Sequence, residues 1–257
     1  MQNCAVVVNR IREINLKKST LSNSYVIGID EVGRGAIAGP VVVAAVLFPA
    51  KTKIPSVFRG IKLKDSKKLD VQERELWFKW IKKQAFENYL ISVESRVYPK
   101  VIDRQNISRS ANLAAWRAFE KATRQLIYFV KKKKLKITVY LDGGLYIQSQ
   151  KYQQAINGNK NEIILLKRNQ PKITCKIRTI IGGDEKIKII KLASIFAKVR
   201  RDDYMAKQGR YYPNCGFGQH KGYGTTQHFK AIKKYGLEKI HRLTFVQKKY
   251  KMVALND

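Results

Sequence analysis

The sequence has few acidic residues, and it lacks any long apolar run. Only 19 of its 257 residues are aspartate or glutamate, against 52 lysines and arginines, so the formal net charge is +33. No stretch approaches the ~18 uninterrupted apolar residues that a membrane helix needs, so we expect no membrane contact. The opening residues form a short apolar run followed by charges, which is not typical of a secretory signal peptide.

Cysteine is also scarce. The three cysteines, Cys4, Cys175 and Cys215, lie far apart and form no Cys-x-x-Cys pair. This spacing indicates neither a zinc site nor a disulfide framework. We therefore expect reduced thiols and a cytoplasmic location.

The positive charge favours a polyanionic partner such as a nucleic acid. The chain is also rich in lysine, isoleucine and asparagine together, which a compositional bias of the genome can produce without selection for binding. Hydrophobic residues make up 44% of the chain, enough for a real core, so a disordered basic tail is excluded. The length suits one domain.

Apolar runs and helical patterns alternate along the chain, which predicts a mixed α/β sheet. Two strands, 25–29 and 41–48, are joined by a glycine-rich turn and suggest a hairpin. Further strands are predicted over 89–93, 136–141 and 176–181, and helices over 70–90, 110–130, 185–205 and 226–235. We interpret residues 1–22 as a weakly ordered leader, 145–170 as a loop and 211–224 as a second loop rich in glycine, tyrosine and histidine.

The acids are placed more informatively than the bases. Three strand-like segments end in an acid with glycine nearby: VIGIDE at Asp30 and Glu31, VYLDGG at Asp142, and IIGGD at Asp184. Acids at strand ends commonly converge on one edge of such a sheet. Clustered carboxylates repel one another, and hard divalent cations relieve the repulsion. Two such ions can drive a phosphodiester displacement. Spacing alone does not identify a metal site, because a single acid at a strand end is more often a cap or a solvated charge.

Asp30 and Glu31 are adjacent, and neighbouring residues of a regular strand point to opposite faces. If both serve one site, we expect the strand to end or bend there, and Gly33 and Gly35 make a bend plausible.

Several motifs together resemble one family. The segment VIGIDEVGRGAIAGPVVVAAVL is followed in order by LKDSKKL, LDGG, GGDEKIKIIKLASIFAKVRRDDYM, GFGQHKGYGT and HRLTF. These segments resemble ribonuclease HII, the type-2 ribonuclease H, and the resemblance covers roughly residues 24–246.

The resemblance implies a ribonuclease H-like mixed sheet flanked by helices, with a small C-terminal helical extension, over a catalytic domain of residues 23–257. It implies metal-dependent cleavage of RNA–DNA hybrids and incision on the 5′ side of single ribonucleotides in duplex DNA, leaving 3′-hydroxyl and 5′-phosphate ends. The family's four active-site acids fall on Asp30, Glu31, Asp142 and Asp184, with two Mn²⁺ or Mg²⁺ ions expected and the first three acids as ligands. We expect a monomer. The span from Asp142 to Asp184 is longer than expected for the compact bacterial form, so we interpret segment 145–170 as an insertion.

Six residues are predicted to bind substrate. The turn Gly33-Arg34-Gly35 brings backbone amides close to a sugar, where the 2′-hydroxyl distinguishes RNA from DNA, and the family uses this turn to sense the ribose. Ser66 and Lys67 carry groups suited to phosphate. Tyr223 lies between two glycines, and the family uses this tyrosine to recognise the step from RNA to DNA.

Other polar residues lie near the same motifs. One or two of Lys198, Arg200 and Arg201 are expected to reach the DNA strand and the others to stay solvated, with Asp202 as a structural partner for a base. The histidines His220, His228 and His241 lack the spacing of metal ligands, so we do not take them as ligands.

Two alternatives stay open. A ribonuclease HIII-like nuclease would need an additional N-terminal binding domain, for which 22 residues are too few, and it typically carries lysine at the position of Arg34. A non-catalytic basic RNA-binding protein would explain the charge and leave the acids unexplained.

Overall fold

A computed structural model describes residues 23–87, 89–130, 134–147, 162–165 and 171–253, without the side chains of 162–165 and 249–253. The predicted leader, 1–22, and most of the predicted insertion lie outside the described residues.

The described residues form a mixed α/β fold, as predicted. The strands are β1 (Ser24–Val32), β2 (Val41–Pro49), β3 (Val57–Phe58), β4 (Ile61–Lys62), β5 (Ile91–Val97), β6 (Lys134–Asp142), β7 (Glu162–Leu165) and β8 (Lys172–Ile180). The α-helices are α1 (Val71–Phe86), α2 (Pro99–Gln105), α3 (Ile107–Phe129), α4 (Gly183–Lys186), α5 (Lys188–Tyr211), α6 (Phe217–His220), α7 (Thr226–Tyr235) and α8 (Leu243–Val253). Short 3-10 helices cover Ser66–Lys68 and Pro213–Cys215.

Six strands form the central sheet in the order β5-β2-β1-β6-β8-β7, and β3 pairs with β4 separately. The predicted hairpin is confirmed, because β1 and β2 are antiparallel neighbours. Strands β1, β6 and β8 run parallel side by side. Their carboxyl ends therefore meet at one edge of the sheet, the edge where open α/β sheets bind ligands.

Helices cover both faces of the sheet. Helix α3 packs on one face through small residues, including Ala111, Ala114, Ala115 and Ala118, all fully buried. Helices α1 and α5 pack on the other face. Helix α5 lies very close to β1, because a Cβ atom added to Gly28 would come within 2.5 Å of the backbone oxygen of Ile189. The glycine thus lets α5 pass directly beneath the acidic end of β1.

Helix α1 shows how local sequence sets an element. Asp70 accepts from the N–H of Glu73, and the Glu73 carboxylate accepts from the N–H of Asp70, which together form a capping box. The helix ends at Phe86, before the predicted Leu90. Trp77 is fully buried and contacts Trp80 and Phe58, in agreement with a packing role.

Three predicted segments differ in the structure. The predicted helix 185–205 is divided into α4 and α5, because Ile187 has extended backbone angles. Residues 162–165 were predicted to be a loop, which is wrong: they form β7, whose apolar run EIIL is typical of a strand and pairs with β8. The predicted loop 211–224 contains α6 and a 3-10 turn.

Within the described ranges, no helix is both long enough and apolar enough to cross a membrane.

Candidate active site

Three of the predicted acids meet at the carboxyl edge of the sheet. Asp30 and Glu31 lie near the end of β1 and Asp142 at the end of β6, and one carboxylate oxygen from each falls within 4.8 Å of the others. β1 continues to Val32 paired with β2, so it does not end at the acids as expected. Its pairing with β6 instead stops at Ile29 and Leu141, one residue before the acids. Both acidic side chains can therefore reach the space beyond the end of β6.

The fourth acid, Asp184, lies beside this group in the first turn of α4. The backbone N–H groups of Gly183 and Asp184 donate to Oδ1 of Asp142, at 2.7 Å and 3.4 Å. The side chain of Asp184 is largely buried, and its Oδ2 lies 3.4 Å from the ammonium nitrogen of Lys67. Among the described residues, the group with oxygens within 4.8 Å contains the first three acids and not Asp184.

The surroundings of Asp30 and Glu31 disfavour the ionised forms of these two acids. Burial raises the pKa of Asp30 well above its ordinary value, and the charges of Glu31 and Asp142 raise it further, while a hydrogen bond from Ser194 opposes them. Burial also raises the pKa of Glu31, opposed by the Arg34 guanidinium. Oε2 of Glu31 is buried and has no hydrogen-bond partner among the described residues. Clustered carboxylates with an unused buried oxygen match the oxygen-rich donor set that Mg²⁺ and Mn²⁺ prefer, so the residues fit a divalent ion.

Two of the predicted substrate-binding residues are cations that touch the acids. Arg34 donates from Nη1 to Oε1 of Glu31 at 3.0 Å and from Nη2 to the hydroxyl of Ser108 at 3.2 Å. Lys67 contacts Asp184 while most of its side chain is exposed, at 78%. Both cations therefore lie between the acids and solvent.

Ser66 is close to the acids, but its hydroxyl points inward. It is buried, and its Oγ lies 2.8 Å from Oγ of Ser194. Ser194 in turn hydrogen-bonds to Asp30. No role was predicted for Ser194, although a serine within the apolar stretch KLASIFA of a buried helix was the available signal.

The Gly33-Arg34-Gly35 turn depends on one of its glycines. Gly33 has a φ of +83° and is buried, and a Cβ atom there would lie 2.1 Å from Nε of Arg201. Gly35 is exposed and has open space around its Cα. Gly33 thus serves the fold of the turn, whereas Gly35 leaves room for a ligand.

Tyr223 lies half-buried in a loop that is joined to this turn. The N–H groups of Ile37 and Ala38 both donate to the carbonyl oxygen of Gly222, at 2.9 Å and 3.1 Å. The Tyr223 ring lies 5.2 Å from the guanidinium carbon of Arg201 and 6.0 Å from the ammonium nitrogen of Lys198. The two predicted recognition loops therefore form neighbouring parts of one surface.

The basic residues of α5 differ from one another. Arg201 is fully buried, so the expectation that it reaches DNA or stays solvated is wrong. Arg200 forms a bidentate pair with Glu94, at 2.9 Å and 3.0 Å. Lys198 pairs with Asp202 at 3.0 Å, which confirms the structural role predicted for that acid.

The three histidines come together behind Tyr223, although nothing in their spacing indicated it. The rings of His220 and His228 stack with centroids 4.1 Å apart, and Nε2 of His228 lies 3.0 Å from Nε2 of His241. Nδ1 of His241 accepts the N–H of Glu238 at 2.8 Å, so its Nε2 carries the proton and donates to His228. His228 then donates from Nδ1 to the Tyr223 carbonyl at 2.9 Å. This series of hydrogen bonds requires the imidazole rings of His228 and His241 to be neutral.

Acidification should therefore destabilise the protein through this cluster. Burial lowers the pKa of His228 to about 4, below the ordinary 6.5. A pKa lowered on folding stabilises the fold above the unfolded value, and that stabilisation is lost as pH falls from about 6.5 through about 4. We expect His228 to account for about 3 kcal/mol of this loss, at ~1.4 kcal/mol for each pKa unit. His228→Asn keeps a donor near Nδ1 and cannot titrate. Denaturant unfolding of the two proteins between pH 4 and 7 should give a shallower pH dependence for the variant, and equal slopes would contradict the prediction.

Comparison with known proteins agrees with this geometry. A family model described as ribonuclease HII matches residues 27–248. The ribonuclease HII of Endomicrobium trichonymphae is 39% identical over 86% of this chain and 84% of its own length, and that of Bacillus cytotoxicus is 38% identical over 86% and 68%. The crystal structure of ribonuclease H2 from Pyrococcus horikoshii superposes with a TM-score of 0.55 at 25% identity, covering 87% of this chain and 96% of that one. The chain therefore belongs to the ribonuclease HII family and is a ribonuclease H, an endonuclease that acts on RNA–DNA hybrids.

Proposed function

We propose that this ribonuclease H, besides cutting the RNA strand of hybrids, incises duplex DNA on the 5′ side of a single embedded ribonucleotide. The products would be a 3′-hydroxyl and a 5′-phosphate. The observation that carries the proposal is the meeting of Asp30, Glu31 and Asp142 within 4.8 Å, with the turn predicted to sense the ribose following Glu31 closely in the chain. Every residue of this proposed site comes from one chain, so we propose that a monomer suffices.

Asp30, Glu31 and Asp142 would hold divalent ions, with Asp184 as the fourth catalytic acid. When bound, two Mg²⁺ or Mn²⁺ ions would supply an activated water and neutralise charge on the leaving oxygen. The backbone N–H groups of Gly183 and Asp184 fix one oxygen of Asp142 and leave the other for a ligand. Oε2 of Glu31 is buried without a partner, which supports its use as a ligand atom.

The cations beside the acids would bind the substrate backbone. In the structure Arg34 contacts Glu31 and Lys67 contacts Asp184. Once the carboxylates are neutralised by other cations, both side chains can turn to phosphate oxygens. Ser66 would act through Ser194 and Asp30 instead, since its hydroxyl faces inward. Tyr223 would stack at the ribose–deoxyribose step, and its loop is anchored to the turn that would approach the 2′-hydroxyl.

A cleavage assay tests the proposal. The substrates are an RNA–DNA hybrid, a DNA duplex with one ribonucleotide, and the same duplex in DNA alone, each with Mn²⁺ or with EDTA. We expect both ribose-containing substrates to be cut with the metal, no cleavage in EDTA, and recovery when excess Mn²⁺ is added. Ligation of the new 5′ end without prior phosphorylation identifies the phosphate. Cleavage of the hybrid with an intact single-ribonucleotide duplex would refute the proposed incision.

A further inference from the structure

Two buried arginines lie behind the recognition loops. Arg201, on α5, and Arg242, just before α8, are both 0% exposed and are among the largest fully buried side chains of the described chain. Arginine is rarely buried completely unless its charge is paired. Their presence together at this position therefore calls for a physical explanation.

Arg242 holds the turn from inside. It donates from Nη2 to the carbonyl oxygen of Gly33 at 2.7 Å, from Nη1 to that of Arg34 at 3.0 Å, and from Nε to that of Gly39 at 2.9 Å. One guanidinium thus hydrogen-bonds to both ends of the segment that connects β1 to β2, at Gly33 and Arg34 on one side and at Gly39 on the other.

Arg201 joins that segment to the Tyr223 loop. It donates from Nε to the carbonyl oxygen of Pro40 at 3.1 Å, from Nη2 to that of Ala38 at 3.2 Å, and from Nη1 to that of Lys221 at 2.9 Å. Its guanidinium carbon also lies 5.2 Å from the ring of Tyr223. The two arginines therefore tie both recognition loops into one unit.

Neither arginine has a carboxylate within salt-bridge distance in the part of the chain that the structure describes. Their described hydrogen bonds go to carbonyl oxygens, the rings of Tyr223 and Phe245 lie 5.2 Å and 5.3 Å from the two guanidinium carbons, and Asp202 and Asp103 act on the charges only from a longer distance. A buried cation left without an anion is costly, and apolar residues would hold a loop at lower cost. The two charges are therefore only partly compensated, and they add to a positive potential at the loop surface above them, which favours an anionic ligand.

The bonds also fix the direction of the peptide groups. In a trans peptide the N–H points opposite to the preceding C=O, and the described chain has no cis peptide bonds. Because Arg242 draws the carbonyls of Gly33 and Arg34 inward, the N–H groups of Arg34 and Gly35 point outward. Within the described residues, neither N–H donates to a protein group.

We propose that Arg201 and Arg242 are positioning residues that hold the Gly33–Gly35 turn and the Tyr223 loop as one rigid unit, with two N–H groups aimed at the sugar–phosphate backbone. They would thereby set the preference for a ribonucleotide–DNA junction. This inference rests on the proposed function, because it concerns how the same two loops recognise their substrate.

The test uses Arg242→Lys, which keeps a nitrogen donor at the end of a long side chain but cannot hold three carbonyls in a planar array. We expect kcat/KM for the single-ribonucleotide duplex to fall by about 10-fold to 100-fold, as small misplacements do, and cleavage of a long hybrid to fall much less. Mn²⁺ affinity, measured by calorimetry, should not change. Amide hydrogen exchange in 33–40 and 221–223 should accelerate. Leu126→Ala, a truncation in the α3 core, is the control that destabilises the fold away from the loops.

The outcomes separate the two proposals. If the wild type does not incise the single-ribonucleotide duplex, the proposed function fails. Suppose instead that the wild type incises this duplex and that Tyr223→Ala loses the junction preference. If Arg242→Lys, like Leu126→Ala, then lowers kcat/KM for the single-ribonucleotide duplex and for the long hybrid in equal proportion, the positioning role fails alone. Arg201→Lys repeats the test should Arg242→Lys not fold. A further measurement needs neither variant: in Asp142→Asn bound to the ribonucleotide duplex, the amides of Arg34 and Gly35 should become protected from exchange, and unchanged exchange would overturn the proposal.

Discussion

Asp142→Asn should abolish cleavage while RNA–DNA hybrid binding survives. We expect kcat to fall by about 10³-fold or more, the upper range for loss of one group that stabilises charge in the transition state. The amide keeps an oxygen that can accept the N–H groups of Gly183 and Asp184, so α4 stays in place. The substitution removes the negative charge that a divalent ion requires. Single-turnover cleavage measures the loss, and fluorescence anisotropy with a labelled hybrid measures binding.

Glu120→Gln is the matched control for this substitution. It also replaces a carboxylate by an amide, at a surface pair with Arg124 on α3. We expect its cleavage rate to equal that of the wild type. Turnover by Asp142→Asn at the wild-type rate would refute the site, and loss of binding together with turnover would show that the acid supports the fold rather than the chemistry.

The acidic site could be predicted because its geometry follows from strand order. Asp30, Glu31 and Asp142 each end or nearly end a strand that the apolar pattern marks clearly, and parallel neighbours bring such ends together. The relation of Asp184 to the others was harder to foresee. It depends on the two N–H groups at the start of α4, which no residue pattern specifies.

The buried residues behind the loops could not be predicted from local sequence. Arg200 and Arg201 are neighbours of the same type, yet a rotation of about 100° along the helix sends one to Glu94 and the other into the core. The three histidines meet because α6, α7 and the segment before α8 converge, which is a tertiary result. Local pattern also placed the start of α3 three residues late, because the cap provided by Asn106 was overlooked.

Asp30→Asn should stabilise the metal-free protein although it removes a proposed ligand. Burial and the charge of Glu31 raise the pKa of Asp30 above its ordinary 3.8, so the protonated form is favoured in the folded state. Stability linked to this group is therefore greatest at low pH and is lost as pH rises through the folded pKa. Asparagine cannot ionise, so the variant does not lose stability in this way as the pH rises. We expect the free energy of unfolding at pH 8 to rise by about 1–2 kcal/mol, the usual gain when functional strain is relieved.

Added Mn²⁺ should make the wild type more stable to unfolding than Asp30→Asn, the reverse of the order expected without metal. The ion binds ionised carboxylates and stabilises the folded wild type by mass action, an effect that Asp30→Asn should largely lose. Since protons compete for the same oxygens, the gain of the wild type should shrink as pH falls through the raised pKa values of Asp30 and Glu31. Denaturant unfolding measures the free energy of unfolding of both proteins with Mn²⁺ and with EDTA, at pH 5.5 and at pH 8. The difference between the Mn²⁺ and EDTA values gives the gain from the metal for each protein at each pH. A metal-free variant less stable than the wild type at pH 8 would mean that the Asp30 carboxylate supports the fold, and a gain from Mn²⁺ that does not vary with pH would mean that these acids are not its ligands.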